Sequence, residues 1–242
     1  MSQRPADVQS NKPYGSRTQG KIPRRTNPER SAATRQQILE ATIQCLNANG
    51  YGAVTNIRVA EEAGVSRGAM MHHFPTRQAL LVATVEYAYK KLSEFRSGEL
   101  ATAEPGLGRY RLILDLAIIT QSMPEGMACN EIRIGSRSDP EIRAAVTPIM
   151  SHISDDYGRL VGRLAREAGL RTTRELQGVT ATVVMTTRSL AINTFTYPRG
   201  KIVENALWVL RSLREQLIAN QLGEHMAQRP APLEEATRAG DN

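Results

Sequence analysis

The apolar residues of this chain recur three and four positions apart along most of its 242 residues, which is the spacing of helices that bury one face. Ile38, Cys45 and Leu46 begin the pattern, and Ile142 and Val146 continue it in the second half. Nowhere does the sequence alternate apolar and polar residues as a half-buried β-strand would. The sequence therefore predicts an all-α protein.

Helix start and stop signals divide this pattern into segments. Thr34 with Gln37 forms a capping box that predicts the start of a first helix, and Gly50 predicts its end. Thr55 and Ser66 are good N-caps for a second and a third helix. The remaining predictions are a fourth helix over 77–95, a loop over 98–108, helices within 110–123, 123–137, 139–170, 172–195 and 203–217, and a turn at 197–200.

Positive charge is concentrated at the beginning of the chain. The formal net charge is +7, and residues 1–33 carry seven Lys and Arg against two acidic residues. This segment is polar with little to bury, so we expect a disordered basic arm there and a second disordered segment, a tail, over 223–242. A basic excess favours a polyanionic partner, and a tail that only keeps the protein in solution is the alternative for the arm.

Composition disfavours several other classes of protein. The longest apolar run is interrupted by Asp115, so no segment reaches the eighteen or so apolar residues of a membrane span. The N-terminus lacks the apolar core of a signal peptide, and we expect a cytoplasmic protein. Cys45 and Cys129 are far apart, which favours buried, reduced thiols over a disulfide framework.

The stretch MMHHF at residues 70–74 raises the question of a metal site. Adjacent helical residues such as His72 and His73 point about 100° apart and do not share one ion comfortably, and no Cys, Asp or Glu stands four positions away. We therefore expect no metal and no cofactor. Met70 and Phe74 are four positions apart and are expected to pack inward together, which leaves Arg67 on the outer face of the helix.

The segment TRQQILEATIQCLNANGYGAVTNIRVAEEAGVSRGAMMHHFPTRQALL, residues 34–81, resembles the DNA-binding domain of the tetracycline-repressor (TetR) family. That family shares the pattern Gly-Val-Ser-x-Gly-x-Leu-Tyr-x-His-Phe followed by a helix start with Lys, and this chain has GVSRGAMMHHF. The chain departs from the family pattern at Met71, which replaces the Tyr, at Arg77, which replaces the Lys, and at Asn56 and Ile57, whose polar and apolar order is exchanged.

The resemblance implies an all-α fold with an N-terminal three-helix helix-turn-helix domain over 34–80 and a C-terminal helical ligand-binding and dimerisation domain over 81–222. It also implies residues that meet double-stranded DNA: Thr34, Arg35, Thr55, Ser66, Arg67, Gly68, Ala69, Met71, His72, His73 and Arg77. Arg67 would read base edges, and most of the others would contact phosphate or flank the bases. Thr55 and Ser66 acting only as caps, and His73 only packing against the fourth helix, stay open as alternatives.

In the C-terminal domain the resemblance implies a ligand cavity enclosed by residues 107–168. The expected lining is apolar, with two polar anchors, Arg133 and His152, and consists otherwise of Ile119, Met123, Met127, Ile132, Ile149, Ile153 and Tyr157. Aliphatic and Met residues predict an apolar or amphipathic small-molecule effector, and plain core packing is the alternative for each of them. Pro148 is expected to kink its helix and to supply a flexible point.

The last two helices are apolar over a broad face and are expected to form a homodimer interface. The interface residues expected are Leu176, Val183, Leu190, Val203, Leu207, Leu210 and Leu213. A two-fold dimer would place two recognition helices about 34 to 36 Å apart, or a multiple of that distance, and would fit a near-palindromic operator.

The function implied is a ligand-responsive transcriptional regulator, a repressor that releases its operator when an effector binds. A DNA-binding regulator with no small-molecule ligand is the alternative. An enzyme built on Cys129, His152 and Asp155 is a third reading, but the sequence has no nucleophile elbow and no Gly-rich phosphate loop, and we expect no catalytic activity.

Overall fold

The computed structural model describes residues 26–193 and 200–223, and over these residues the chain forms nine α-helices and no β-strand, which confirms the all-α prediction. The helices are α1 (Asn27–Asn49), α2 (Asn56–Glu62), α3 (Arg67–His73), α4 (Arg77–Thr102), α5 (Leu107–Ser122), α6 (Pro124–Gly135), α7 (Pro140–Glu167), α8 (Arg174–Asn193) and α9 (Lys201–Leu222). Short 3-10 turns follow α1 (Tyr51–Ala53) and α6 (Ser136–Ser138). None of these helices is long and apolar enough to cross a membrane.

The first helix begins earlier than predicted. Thr26 caps it, because its hydroxyl accepts a hydrogen bond from the Glu29 amide while the Glu29 carboxylate accepts one from the Thr26 amide. The predicted cap Thr34 lies inside the helix and donates its hydroxyl to the Arg30 carbonyl oxygen at 2.9 Å. Residues 27–33 therefore belong to α1 and not to a disordered arm. The rest of the predicted arm lies outside the described residues.

The next three helices begin where their caps predict. The hydroxyls of Thr55, Ser66 and Thr76 accept hydrogen bonds from the amides of residues 58, 69 and 79 at 3.0 to 3.2 Å. Gly64 adopts φ 62° in the turn between α2 and α3, a conformation that residues with a side chain rarely take. The helix-turn-helix geometry predicted for this segment is thus present.

The fourth helix is longer than predicted. It continues through Gly98 to Thr102, so the predicted loop over 98–108 is reduced to four residues, 103–106. Leu92, Arg96 and Leu100 are four positions apart and all buried, which extends the buried stripe past the glycine. Tertiary packing of this stripe outweighs the low helix propensity of Gly98.

Two hydrophobic cores share the middle helices. The first core joins α1 to α4 with one face of α6 and the first half of α7, through residues that include Leu46, Met70, Ala128, Ile132 and Val146. The second core joins the end of α4 and the second half of α7 with α5, α8 and α9. The packing of the helix-turn-helix therefore extends beyond residue 80, where the sequence places its boundary.

The remaining predictions of the fold concern α7 and the chain ends. α7 is one helix from Pro140 to Glu167 and continues through Pro148. Residues 197–199 of the turn predicted at 197–200, and residues 224–242 of the tail predicted over 223–242, lie outside the described residues.

Candidate DNA-binding surface and ligand cavity

The third helix presents the exposed surface that the sequence predicts. Met70 and Phe74 are almost completely buried in the first core, and they hold α3 against the rest of the domain. Arg67, Met71 and His72 point to solvent, as do Ser66 and Gly68, while Ala69 is half-buried. The exposed face is therefore a guanidinium at the start of a short helix followed by small residues and an imidazole.

Two residues at the start of α2 add to this surface. The Nδ2 atom of Asn56 donates a hydrogen bond to the Phe74 carbonyl oxygen at 2.9 Å, which ties α2 to the end of α3. Ile57 is 59% exposed beside it. Because their order is exchanged, Asn56 makes a hydrogen bond within the fold and Ile57 is exposed to solvent. Sequence reasoning did not identify the Asn56 bond, because its acceptor is a backbone atom eighteen positions away.

The structure does not support the predicted phosphate contact of Arg77. Its Nε donates to the Val54 carbonyl oxygen at 2.8 Å, Nη2 to the Tyr51 carbonyl oxygen at 2.9 Å and Nη1 to the Tyr51 Oη at 3.0 Å. The guanidinium also lies over the Tyr51 ring, 4.2 Å from its centroid. With all three nitrogens engaged, Arg77 holds the end of the 3-10 turn after α1 and is not free to meet a phosphate.

The other predicted DNA-contacting residues lie around α3. Arg35 is exposed on α1, with its guanidinium 5.3 Å from the Phe74 ring centroid. His73 is half-buried, and burial, the neighbouring His72 and the charge of Arg35 lower its pKa, so its imidazole is neutral near pH 7. Thr34 is half-buried, and its hydroxyl is used within α1.

A cavity of about 610 Å³ lies between α4, α5, α6, α7 and α8. Three predicted lining residues, Arg133, Ile153 and Tyr157, are on its wall. The other six predicted residues do not line it: Ile119, Met123, Met127, Ile132, Ile149 and His152.

Five of these six residues lie elsewhere for evident packing reasons, and Met123 is half-buried at the N-cap of α6. Ile119 is 46% exposed on the outside of α5, and Met127 is buried elsewhere. Ile132 and Ile149 pack with the first core. The His152 side chain points to solvent, where its Nε2 lies 3.3 Å from the Asp156 carboxylate.

Two further arginines line the cavity and were not identified from the sequence. Arg96 comes from α4 and Arg188 from α8, so that together with Arg133 three arginines line one cavity. Arg96 lies 5.6 Å from the Tyr89 ring centroid and 5.7 Å from the Tyr157 ring centroid. The available signal was Arg96 itself, which stands at a buried position of the α4 stripe.

Cys129 lies on the cavity wall, and burial raises the pKa of its thiol to about 12. The thiolate that a nucleophile requires is therefore strongly disfavoured at pH 7. His152 pairs with Asp156 and not with Asp155. The geometry thus gives no support to a catalytic set of Cys129, His152 and Asp155. In the described part of the chain no three His, Cys, Asp or Glu residues are grouped so that they could hold a metal ion.

The DNA-binding half and the cavity meet at the end of α6. The ring of Tyr51 packs on Gly135, and its Oη donates a hydrogen bond to the Asp139 carboxylate at 3.1 Å. The Asp139 carboxylate also caps α7 by accepting from the Ile142 amide at 3.1 Å. The Tyr51 amide donates to the Glu131 carboxylate at 3.1 Å. One helix, α6, therefore contacts the cavity on one side and the helix-turn-helix on the other.

The predicted dimer residues lie on α8 and α9, but several are not available to a partner. Leu176, Val183 and Leu210 are buried in the second core, and Leu207 packs against it. Leu190 and Val203 are half-buried, and Leu213 is exposed. The exposed apolar stripe of α9 consists instead of Ile202, Val209 and Leu213, which recur at helical spacing; Ile202 is 66% exposed.

Comparison with known proteins gives a family likeness. The family described as "Bacterial regulatory proteins, tetR family" matches residues 38–84. The HTH-type transcriptional regulator CymR of Pseudomonas putida is 40% identical over 123 residues, which are 51% of this chain and 61% of CymR. The regulator BetI of Yersinia pestis is 36% identical over 78 residues, 32% of this chain and 39% of BetI. The chain thus matches less than two thirds of the length of these relatives.

A solved structure has the same fold over most of the chain. The crystal structure of a transcriptional regulator from Saccharomonospora viridis in complex with choline superimposes with a TM-score of 0.61 at 20% identity. The superposition covers 76% of this chain and 96% of that one. At this identity the likeness concerns the arrangement of helices.

Proposed function

We propose that the chain is a member of the tetR family of bacterial regulatory proteins, which its residues 38–84 match, and that it is a repressor of transcription that binds a near-palindromic operator as a homodimer and releases it when a small molecule enters the cavity. The observation that carries the proposal is the position of the cavity. Its wall includes α6, and Ala128 and Ile132 of the same helix pack in the core of the helix-turn-helix.

The exposed face of α3 suits the major groove of DNA. Arg67 stands in the first turn, where its guanidinium has the two parallel donors that match the O6 and N7 atoms of guanine. Gly68 and Ala69 follow it and let the helix backbone approach the base edges. Ser66, Thr55, His72, His73 and Arg35 surround this point and are the residues we assign to phosphates or flanking bases.

The exposed stripe of α9 supports the homodimer. Ile202, Val209 and Leu213 are large apolar residues exposed on one helix face of a single chain. When this face packs against the same face of a second copy around a two-fold axis, its apolar residues leave water. The dimer then carries two copies of the recognition helix α3. A dimer of this kind fits an operator whose half-sites lie one or more turns of DNA apart.

The route from the cavity to the DNA-binding face passes through α6. A ligand that moves α6 also moves Gly135 and the start of α7, and with them Tyr51 and Arg77 at the edge of the helix-turn-helix. Binding of ligand and DNA is then coupled, and each lowers the affinity for the other by the same factor.

The ligand of the choline-bound neighbour is a cation, whereas three arginines line the cavity of this chain. Like charges in an enclosed space repel, so we do not transfer choline to this protein.

Selection from random DNA with the purified chain tests the function. We expect a near-palindromic sequence to be enriched, and we expect any small molecule that raises the melting temperature of the free protein to weaken binding to that sequence. Fluorescence anisotropy of the labelled operator measures the second effect. Enrichment without any ligand effect leaves the alternative, a DNA-binding regulator with no small-molecule ligand. No enrichment contradicts the proposal as a whole.

A further inference from the structure

The cavity wall carries three positive charges and no negative one. Arg96, Arg133 and Arg188 line it, and none of the described residues that line it is Asp or Glu. In each of the three side chains the Nε atom is buried without a hydrogen-bond partner. This is an unusual state for buried charged groups, which are normally paired.

Another buried arginine of the same chain shows the ordinary arrangement. Arg214 lies between α5 and α9, and its guanidinium donates to the carboxylates of Asp115 at 3.0 Å and Glu215 at 2.9 Å. Arg96 is as deeply buried, with 6% of its surface exposed, yet no carboxylate in the described residues pairs with it. The fold thus satisfies one buried arginine with acids and leaves the cavity arginines without them.

The contacts that the guanidinium groups of Arg133 and Arg188 make are weak. The Nη2 atom of Arg133 lies 3.0 Å from the Met150 sulfur, and the Nη1 atom of Arg188 lies 3.7 Å from the Met185 sulfur. Thioether sulfur is a poor acceptor for a guanidinium donor. These contacts are therefore easily replaced by an oxyanion.

Arg133 on α6 and Arg188 on α8 line the same cavity. Burial lowers the pKa of both groups, and the charge of Arg133 lowers the pKa of Arg188 further. Two positive charges on one cavity wall repel each other. An anion between them removes this repulsion and accepts the free N–H donors of both side chains.

We propose that the cavity binds an organic acid, with its anionic head between Arg133 on α6 and Arg188 on α8 and its apolar body along the rest of the cavity. The apolar body fits because Leu92, Val146 and Val161 line other parts of the wall. The inference rests on the function proposed above and specifies the chemical class of its effector. It narrows the predicted apolar or amphipathic effector to one with a negatively charged head.

A matched pair of fluorescent probes tests the charge preference directly. 8-Anilinonaphthalene-1-sulfonate and N-phenyl-1-naphthylamine share the same apolar body, and only the first carries a sulfonate. With the wild-type chain, decanoate should displace either probe at a concentration about tenfold or more below that required for decanol. This comparison needs no variant, so it does not depend on how a substituted cavity folds.

Substitution of the two arginines locates the anionic head. Arg133→Gln and Arg188→Gln should each raise the Kd of the sulfonate probe by about tenfold or more. The Kd of the neutral probe should stay within about twofold of its value for the wild-type chain. Arg163→Gln is the matched control, because Arg163 is exposed on α7 and does not line the cavity. This variant removes the same charge and should leave the binding of both probes unchanged.

The outcomes separate the inference from the function on which it rests. Equal displacement by decanoate and decanol, or equal loss of both probes in the arginine variants, overturns the assignment of an organic acid while leaving a ligand cavity. Failure of both probes to bind the cavity overturns the proposed ligand response itself. Loss of the sulfonate probe in Arg163→Gln as well shows an unspecific charge effect and also overturns the assignment.

Discussion

The ring of Tyr51 occupies the space in which a side chain on residue 135 would begin, so that only glycine allows the DNA-binding half and α6 to pack as they do. The bond from the Tyr51 Oη to Asp139 secures the same junction. The junction therefore combines close packing of a ring on a glycine with a hydrogen bond, and each of these two contacts can be tested by a substitution.

Gly135→Ala should destabilise the protein by about 1 to 3 kcal/mol, because the added methyl group meets the ring of Tyr51 and forces it out of place. The free energy of unfolding in urea measures the effect. Gly98→Ala is the control, since nothing lies near its Cβ position within α4, and it should be stabilising by up to about 1 kcal/mol. Equal stability of the two variants would show that the junction is loosely packed.

Tyr51→Phe should reduce the response to ligand more than it reduces DNA binding. The change removes the Oη that accepts from Arg77 and donates to Asp139 but keeps the ring on Gly135. We expect the ratio of operator Kd with and without decanoate to fall by about threefold or more, a loss of about 0.7 kcal/mol of coupling.

The control for Tyr51→Phe is Tyr87→Phe. The Oη of Tyr87 donates to Glu40 at 2.7 Å and so joins α4 to α1, away from the contact of Tyr51 with Arg77 and Asp139. This variant should keep the wild-type ratio. If both variants lose the response equally, Tyr51 has no special part in the coupling.

Arg67→Ala should weaken binding to the selected operator by about 1 to 3 kcal/mol and relax specificity at one base pair of each half-site. Arg67 is the only arginine in the exposed first turn of α3. Arg163→Ala on α7 removes an equal charge far along the chain and should leave specificity intact. Anisotropy titrations against single-base variants of the operator distinguish the two effects. Unchanged selectivity in Arg67→Ala would contradict its assignment as the base-reading residue.

Val209→Asp should convert the dimer to a monomer. The change places a carboxylate in the middle of the exposed α9 stripe, where dimer formation would bury it without a partner. Light scattering after size-exclusion chromatography measures the mass. Ser97→Asp adds the same charge to an exposed position of α4 and should stay a dimer. A dimeric Val209→Asp would place the interface elsewhere.

Cys129 should react slowly with iodoacetamide, at a rate that rises about tenfold per pH unit between pH 7 and 10. Burial raises the pKa of its thiol to about 12, so the thiolate fraction is about 1 in 10⁴ at pH 8 and grows in proportion to hydroxide. Mass spectrometry of the alkylated peptide follows the reaction. Ser97→Cys supplies an exposed thiol as reference. A rate for Cys129 that is flat with pH would contradict the raised pKa.

The facing of α3 could be predicted from the sequence because it depends on neighbours in the chain. Met70 and Phe74 are four positions apart and share one helix face, and Ser66 satisfies an amide three residues later. The turn before α3 likewise depends on one residue, Gly64. Local periodicity and capping were sufficient here.

The cavity could not be predicted to the same extent because it depends on which face of a helix meets which neighbour. α6 and α7 carry apolar residues on more than one side, so periodicity indicates that Ile132 and Ile149 are buried but not that they face the first core. The phosphate contact expected of Arg77 could not be judged from the sequence for a related reason. Its partners Tyr51 and Asp139 are 26 and 62 positions away, and no local pattern connects them.

The two faces of α6 also determine where the ligand preference of such a protein is free to change. On α6, Arg133 and Asn130 lie one helical turn or less from residues of the first core. A substitution that changes the ligand preference at these positions therefore risks loss of the ligand response or of DNA binding. On α8, Thr180, Val184 and Arg188 face the cavity, and the first core includes no residue of that helix. The ligand preference of the protein is therefore least constrained on α8, whether it changes by laboratory selection or by evolution.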